Sequence, residues 1–297
     1  MAKYGLYRRV EANKGYKGIK GVVRLPGDMY IKGLESVDPK EAAYNYFAVR
    51  GKDFDYGIGV FTSPDALGSK YWQVYHSFVS SCYVCLNYGW ESLGWPASGI
   101  EGEYDVRIKL SIPQDNQLKF EIEYGYFYEN GDYPDTIKGS NSWTFNLPGL
   151  NLNGNDEMFR MVTALYFNNA AYMYTDWYNM KVITPSGQEN PWTNAEINKK
   201  TSAEFIDGDM DNQTENPDSI RVTEGYYGYF PEKIFMYKNM YSPADLTKDG
   251  YVDIDDLNII KRDYDKKGDP GWIPADINKD GRVSLKDLVY AARLYAI

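Results

Sequence analysis

Two stretches near the C-terminus set oxygen-bearing side chains at the spacing a hard cation requires. Asp245, Thr247, Asp249, Asp253 and Asp256 occupy positions 1, 3, 5, 9 and 12 of a twelve-residue loop whose sixth residue is Gly250. Asp276, Asn278, Asp280, Ser284 and Asp287 repeat the pattern 31 residues later, with Gly281 at position 6. Calcium is held by oxygens that alternate positions aim inward, and glycine makes the sharp turn at low cost. Position 7, Tyr251 or Arg282, would ligate through its backbone carbonyl, which leaves its side chain unconstrained. Position 8 is Val252 or Val283, apolar and suited to pairing the loops across a small core. The spacing predicts two Ca2+ ions. Asp207, Asp209 and Asp211 offer a third site, with an acidic surface loop as the competing reading.

Other residues suggest different chemistry. Glu101, Glu103 and Asp105 fall at every second residue, which on a strand lines one face with carboxylates. Glycoside hydrolysis needs two such groups about 5–9 Å apart in a groove; the competing reading is a solvated acidic face. Sugar rings stack on flat aromatic surfaces, and Trp90, Trp95 and Trp192 fall in or beside turns. They are carbohydrate-binding candidates, with core or edge aromatics as the alternative. A lone histidine, His76, makes a multi-histidine zinc centre or a Ser-His-Asp triad implausible. Cys82 and Cys85, if extended, lie about 10 Å apart, beyond the ~7 Å reach of a disulfide. They read as free thiols unless the chain turns there.

The elements that must position these groups are mostly strands. The chain has 297 residues, 43% hydrophobic and 16% aromatic, enough to bury a core. Up to about residue 240, short alternating runs are separated by Gly, Pro, Asn and Asp, and helix signal is weak, around 194–200. One hairpin reads closely: even-numbered apolar residues of 105–112 must face even-numbered ones of 118–126. A register in which paired numbers sum to 230 sets Lys109 opposite Glu121 and Arg107 opposite Glu123. Beyond Tyr241 the period turns helical, with Leu257, Ile260 and Tyr264 after the first loop and Leu288, Ala291 and Tyr295 after the second. The predicted fold is mainly β: a two-sheet sandwich of jelly-roll or lectin-like type over 1–241, then a small α-helical unit with two EF-hand-like loops over 242–297. A net charge of −10 argues against nucleic acid. No apolar run is long enough to span a bilayer.

The repeated loop-plus-helix resembles the dockerin module of cellulosomal proteins, although position 12 is Asp where an EF-hand has Glu, and Thr247 stands where the dockerin family has Asn or Asp. That resemblance implies a cohesin partner on a scaffoldin. The contact would be carried by loop positions 10 and 11 and by basic helix residues: Ile254, Asp255, Lys261 and Arg262 in the first repeat, and Leu285, Lys286 and Arg293 in the second. It also implies a secreted, cellulosome-associated protein, although this sequence shows no signal peptide. The sandwich would then bind plant polysaccharide, with a glycoside hydrolase or polysaccharide lyase as the first alternative and a non-catalytic interaction module as the second.

Overall fold

The computed structural model describes residues 4–27, 30–34, 41–52, 54–63, 71–80, 89–127, 134–148, 150, 152–206, 213–224, 232–238 and 240–295. Cys82, Cys85 and the acidic run Asp207, Asp209 and Asp211 lie outside them. The strands in chain order are β1 Tyr4–Ala12, β2 Gly18–Arg24, β3 Ile31–Lys32, β4 Ala42–Arg50, β5 Phe54–Thr62, β6 Tyr71–Ser80, β7 Gly89–Ser92, β8 Ile100–Glu101 and β9 Asp105–Ser111. They continue with β10 Gln117–Phe127, β11 Pro134–Asn146, β12 Met158–Phe167, β13 Ala171–Ile183, β14 Glu189–Pro191, β15 Ile197–Ile206, β16 Gln213–Glu215, β17 Ile220–Glu224 and β18 Glu232–Lys238. Two α-helices follow, α1 Ile254–Arg262 and α2 Leu285–Leu294.

The strands form two antiparallel sheets that face each other as a sandwich. The first runs β16-β15-β1-β12-β4-β5-β6-β7, with β8 added to β6. The second runs β11-β10-β9-β2-β13-β18-β17, with β3 and β14 on β13. Alternation along each strand sends one set of side chains into the space between the sheets. Leu6, Val10, Phe47, Ile58 and Met161 from the first sheet meet Ile19, Ile108, Phe120, Met173 and Trp177 from the second. Trp177 stacks on Phe47 at 5.2 Å across the sheets. Its indole N–H donates to Thr163 Oγ1 (2.8 Å), and the Thr163 hydroxyl donates to Asn45 Oδ1 (2.8 Å). These buried polar atoms satisfy one another, as a core requires.

The predicted hairpin forms in the predicted register: Glu121 pairs with Lys109 and Glu123 with Arg107. Arg107 bonds Glu123 at 2.9 Å. Lys109 instead reaches Glu189 on β14 (3.0 Å), and Glu121 takes Lys119 (2.9 Å). The weak helical signal around 194–200 resolves into a single 3-10 turn, Asn194–Glu196, with Thr193 and Glu196 as a capping box, before the chain enters β15. Charged Lys199 and Lys200 hide a strand whose inner neighbours supply its order.

The outer face of the second sheet is apolar too. Tyr172, Tyr174 and Phe235 point away from the sandwich core, and with Tyr30 they meet Ile260, Ala275, Ile277, Tyr290, Ala291 and Leu294 of the C-terminal segment. Strand β13 is therefore buried on both faces along most of its length.

Candidate calcium loops

Each loop delivers the chain into a helix through its own carboxylates. Asp253 and Ser284 are the N-caps of α1 and α2, and position 12, Asp256 or Asp287, reaches back to complete a capping box. Gly250 and Gly281 at position 6 have φ of 92° and 85°, the left-handed region in which glycine alone is unstrained. Lys248 and Lys279 are also left-handed, at 60° and 56°. The two turns are thus the same turn made twice.

Backbone N–H groups converge on the carboxylates at both ends of each loop. Asp245 accepts from Gly250 N (2.8 Å) and Asp249 N (3.2 Å). Asp256 accepts from Leu246 N (2.7 Å), Thr247 N (2.9 Å) and Asp253 N (2.8 Å). In the second loop Asp276 accepts from Asp280 N (3.1 Å) and Gly281 N (3.1 Å), and Asp287 from Asn278 N (3.2 Å) and Ser284 N (2.8 Å). Asp245, Asp256, Asp276 and Asp287 are 5%, 0%, 2% and 0% exposed. Among the described residues, no lysine or arginine pairs with any of these four. Burial raises the Asp245 carboxyl above the ordinary range; its backbone hydrogen bonds oppose this, and the Asp256 and Asp249 charges add to it. Asp280 takes Lys286 at 3.3 Å.

The donor set is all oxygen, which suits a hard divalent cation rather than zinc or copper. Among the described residues, no three His, Cys, Asp or Glu side chains already converge on one point. Thr247 or Asn278 and the carbonyl of Tyr251 or Arg282 would therefore have to complete each shell. The Val283 backbone pairs with the segment between α1 and the second loop: Val283 N donates to Lys266 O, and Asp265 N donates to Val283 O. Both valines are buried in one apolar cluster.

The first loop is gripped by the sandwich through Arg221 of β17, a residue that carries no motif. Its guanidinium donates to the Gly250 carbonyl and to Tyr237 Oη (2.7 Å), and lies 3.8 Å from the Tyr251 ring centroid. At the far end of the module, Arg293 of α2 donates to Tyr30 Oη (3.1 Å) and lies 3.8 Å from Glu103.

The other candidates separate. Glu101 ends β8, exposed; Glu103 occupies a turn at φ 74°; Asp105 opens β9 and is 2% exposed. Asp105 is held by Arg24 through two bonds of 2.9 and 3.1 Å. The three carboxylates thus line no common groove. Trp192 is fully buried in the core rather than exposed at a turn. Trp95 is half-buried edge-on to Tyr124 (5.7 Å) and Trp143 (5.9 Å). Trp90 lies on β7, its side chain outside the described set.

No family model matches the chain, and no curated protein sequence matches it. Among solved structures, scytalido-glutamic peptidase bound to a transition state analog inhibitor is similar at 8% identity, covering 78% of this chain and 97% of its own, with a TM-score of 0.48. SCP-B, a peptidase of the Eqolisin family in complex with the tripeptide Ala-Ile-His, is similar at 9% identity over 78% and 97%, with a TM-score of 0.44. The CBM2 module of the Lactobacillus casei BL23 phage J-1 evolved Dit follows at 10% identity over 77% and 65%, with a TM-score of 0.31. At these identities and scores the likeness assigns neither a family nor an activity.

The dockerin resemblance is overturned: no family model recognises the C-terminal segment. That segment consists of two short helices lying on the sandwich's outer face. With the resemblance go its cellulosomal setting and the only basis for a cohesin partner. Of the residues that resemblance assigned to a partner, Ile254 and Leu285 are 54% and 63% exposed, and Asp255, Lys261, Arg262 and Lys286 are exposed. Arg293 instead faces Tyr30 and Glu103 of the sandwich.

Proposed function

We propose that residues 242–297 form a calcium-binding module carried by, and docked against, the β-sandwich of residues 1–241. Asp245, Thr247, Asp249, Tyr251 O, Asp253 and Asp256 would hold one ion. Asp276, Asn278, Asp280, Arg282 O, Ser284 and Asp287 would hold the other. The observation that carries this reading is the pair of matching loops whose terminal carboxylates are buried, held by backbone N–H groups, with no cationic partner among the described residues. Buried charge without a counter-ion is costly, and a bound divalent cation would offset it in both loops at once.

The experiment is thermal unfolding of the full chain in EGTA, in calcium and in magnesium. Calcium should raise the midpoint, with magnesium much less effective because the ligand geometry is too large and irregular for it. Asp256→Asn and Asp287→Asn should each remove part of the calcium-induced rise. Identical melts in EGTA and in millimolar calcium would contradict the reading.

A further inference from the structure

The inward positions of a sandwich are its core, and at one edge of this sandwich they turn ionic. On β1, Arg8 sits between fully buried Leu6 and Val10. On β18, buried Ile234 and Met236 are flanked by Glu232 and Lys238. Arg8 crosses between the sheets to Glu232, with Nε 2.9 Å from Oε2 and Nη2 2.5 Å from Oε1. Lys238 crosses to Glu204 of β15 at 2.6 Å. Ion pairs desolvated in this way are often no better for stability than apolar packing. Stability alone therefore does not explain the buried Arg8–Glu232 pair.

Two of these charges, Arg8 and Glu232, line a cleft of about 510 Å³ together with Lys200, Ser202, Thr223 and Glu224 among others. That size lies within the range of about 300–1,000 Å³ typical of small-molecule sites. Glu224 stands directly opposite Glu232 in the β17–β18 register. Like charges so placed repel, and Arg8 neutralises only Glu232. Among the described residues, no side chain bonds or pairs with the Glu224 carboxylate. Ser202 Oγ accepts from Arg8 Nη1 (3.3 Å), which leaves its own proton to donate.

We propose that this cleft binds a neutral oligosaccharide, whose hydroxyls donate to Glu224 and accept from Ser202 and Lys200. Among the described lining residues, the cations Arg8 and Lys200 balance the carboxylates Glu224 and Glu232, which favours a neutral ligand. Sugar hydroxyls both donate and accept, and the lining offers both roles side by side. Ile220 and Val222 add aliphatic surface for the C–H faces of a ring.

The test is calorimetric titration of the full chain with cellohexaose, xylohexaose and mannohexaose, with hexagalacturonate and trialanine as charged comparisons. At least one neutral hexasaccharide should bind more tightly than either charged probe. Glu224→Gln, an exposed change that leaves the fold intact, and Ser202→Ala should each weaken that binding about fivefold or more. Lys119→Ala on β10, five strands from β17 in the second sheet, should leave it unchanged. Absence of binding by every neutral hexasaccharide, tighter binding of a charged probe, or indifference to both cleft substitutions would overturn the assignment.

Discussion

Arg221 of the sandwich donates to the carbonyl of Gly250, the glycine at position 6 of the first calcium loop, and covers the ring of Tyr251 at position 7. The carbonyl of Tyr251 is the expected ligand there, so the arginine holds the peptide next to the ion site. If the first loop holds calcium as proposed, its occupancy and the docking of the module would be linked, since ordering one favours the other. The second loop has no such contact among the described residues.

Arg221→Met should weaken calcium at the first loop by several-fold and leave the second unchanged. The lost hydrogen bond and cation–π contacts should also cost about 1–3 kcal/mol of stability. Calcium calorimetry on the variant, set beside chemical denaturation, separates the two effects. Equal weakening of both sites would contradict the asymmetry.

Leu294 is 2% exposed in the interface between α2 and the second sheet. Leu294→Ala should cost about 2–4 kcal/mol through lost contacts and a cavity. In EGTA the variant should expose Tyr172, Tyr174 and Phe235, seen as increased binding of an apolar dye with the β signal retained in circular dichroism. Loss of helix and sheet in a single transition would show that the module and the sandwich unfold as one.

Thr163→Val should destabilise the sandwich by about 2–4 kcal/mol although it conserves shape. It strands the Trp177 indole N–H and the Asn45 carbonyl between the sheets. Denaturant midpoints, with a near-ultraviolet spectrum to confirm native packing, provide the check.

Glu189 supplies a pH-dependent contribution. Burial alone would raise its carboxyl, but hydrogen bonds and charge from Lys20 and Lys109 outweigh burial and hold it below the ordinary glutamate range. A depressed folded-state value stabilises at pH above the unfolded value of about 4.3, and that stability is lost as pH falls through the folded value. Glu189→Gln should therefore cost about 0.5–1 kcal/mol at pH 7, with the gap from the parent closing below about pH 4. A gap that stays constant with pH would sink the assignment.

Much of this was legible in the sequence where the signal is local. The hairpin from Asp105 to Phe127 shows its register through alternation and charge, because both strands lie within a few residues of one turn. The twin loops are legible for the same reason. What escaped depends on residues distant in the chain. Lys109 turns from Glu121 to Glu189, 80 positions away, and Arg8 pairs with Glu232 across 224. Strands β1 and β15 carry charges at inward positions that only the facing sheet explains. Glu101, Glu103 and Asp105 alternate in sequence, but the left-handed turn at Glu103 breaks the strand that alternation assumes. Trp192 sits beside turn residues yet packs into the core.

The most direct test of the central claim is isothermal titration of the metal-stripped full chain with calcium. Two binding events are expected, reduced to one by either Asp245→Asn with Asp256→Asn or Asp276→Asn with Asp287→Asn. No heat at millimolar calcium, or a stoichiometry unchanged by both double substitutions, would contradict it.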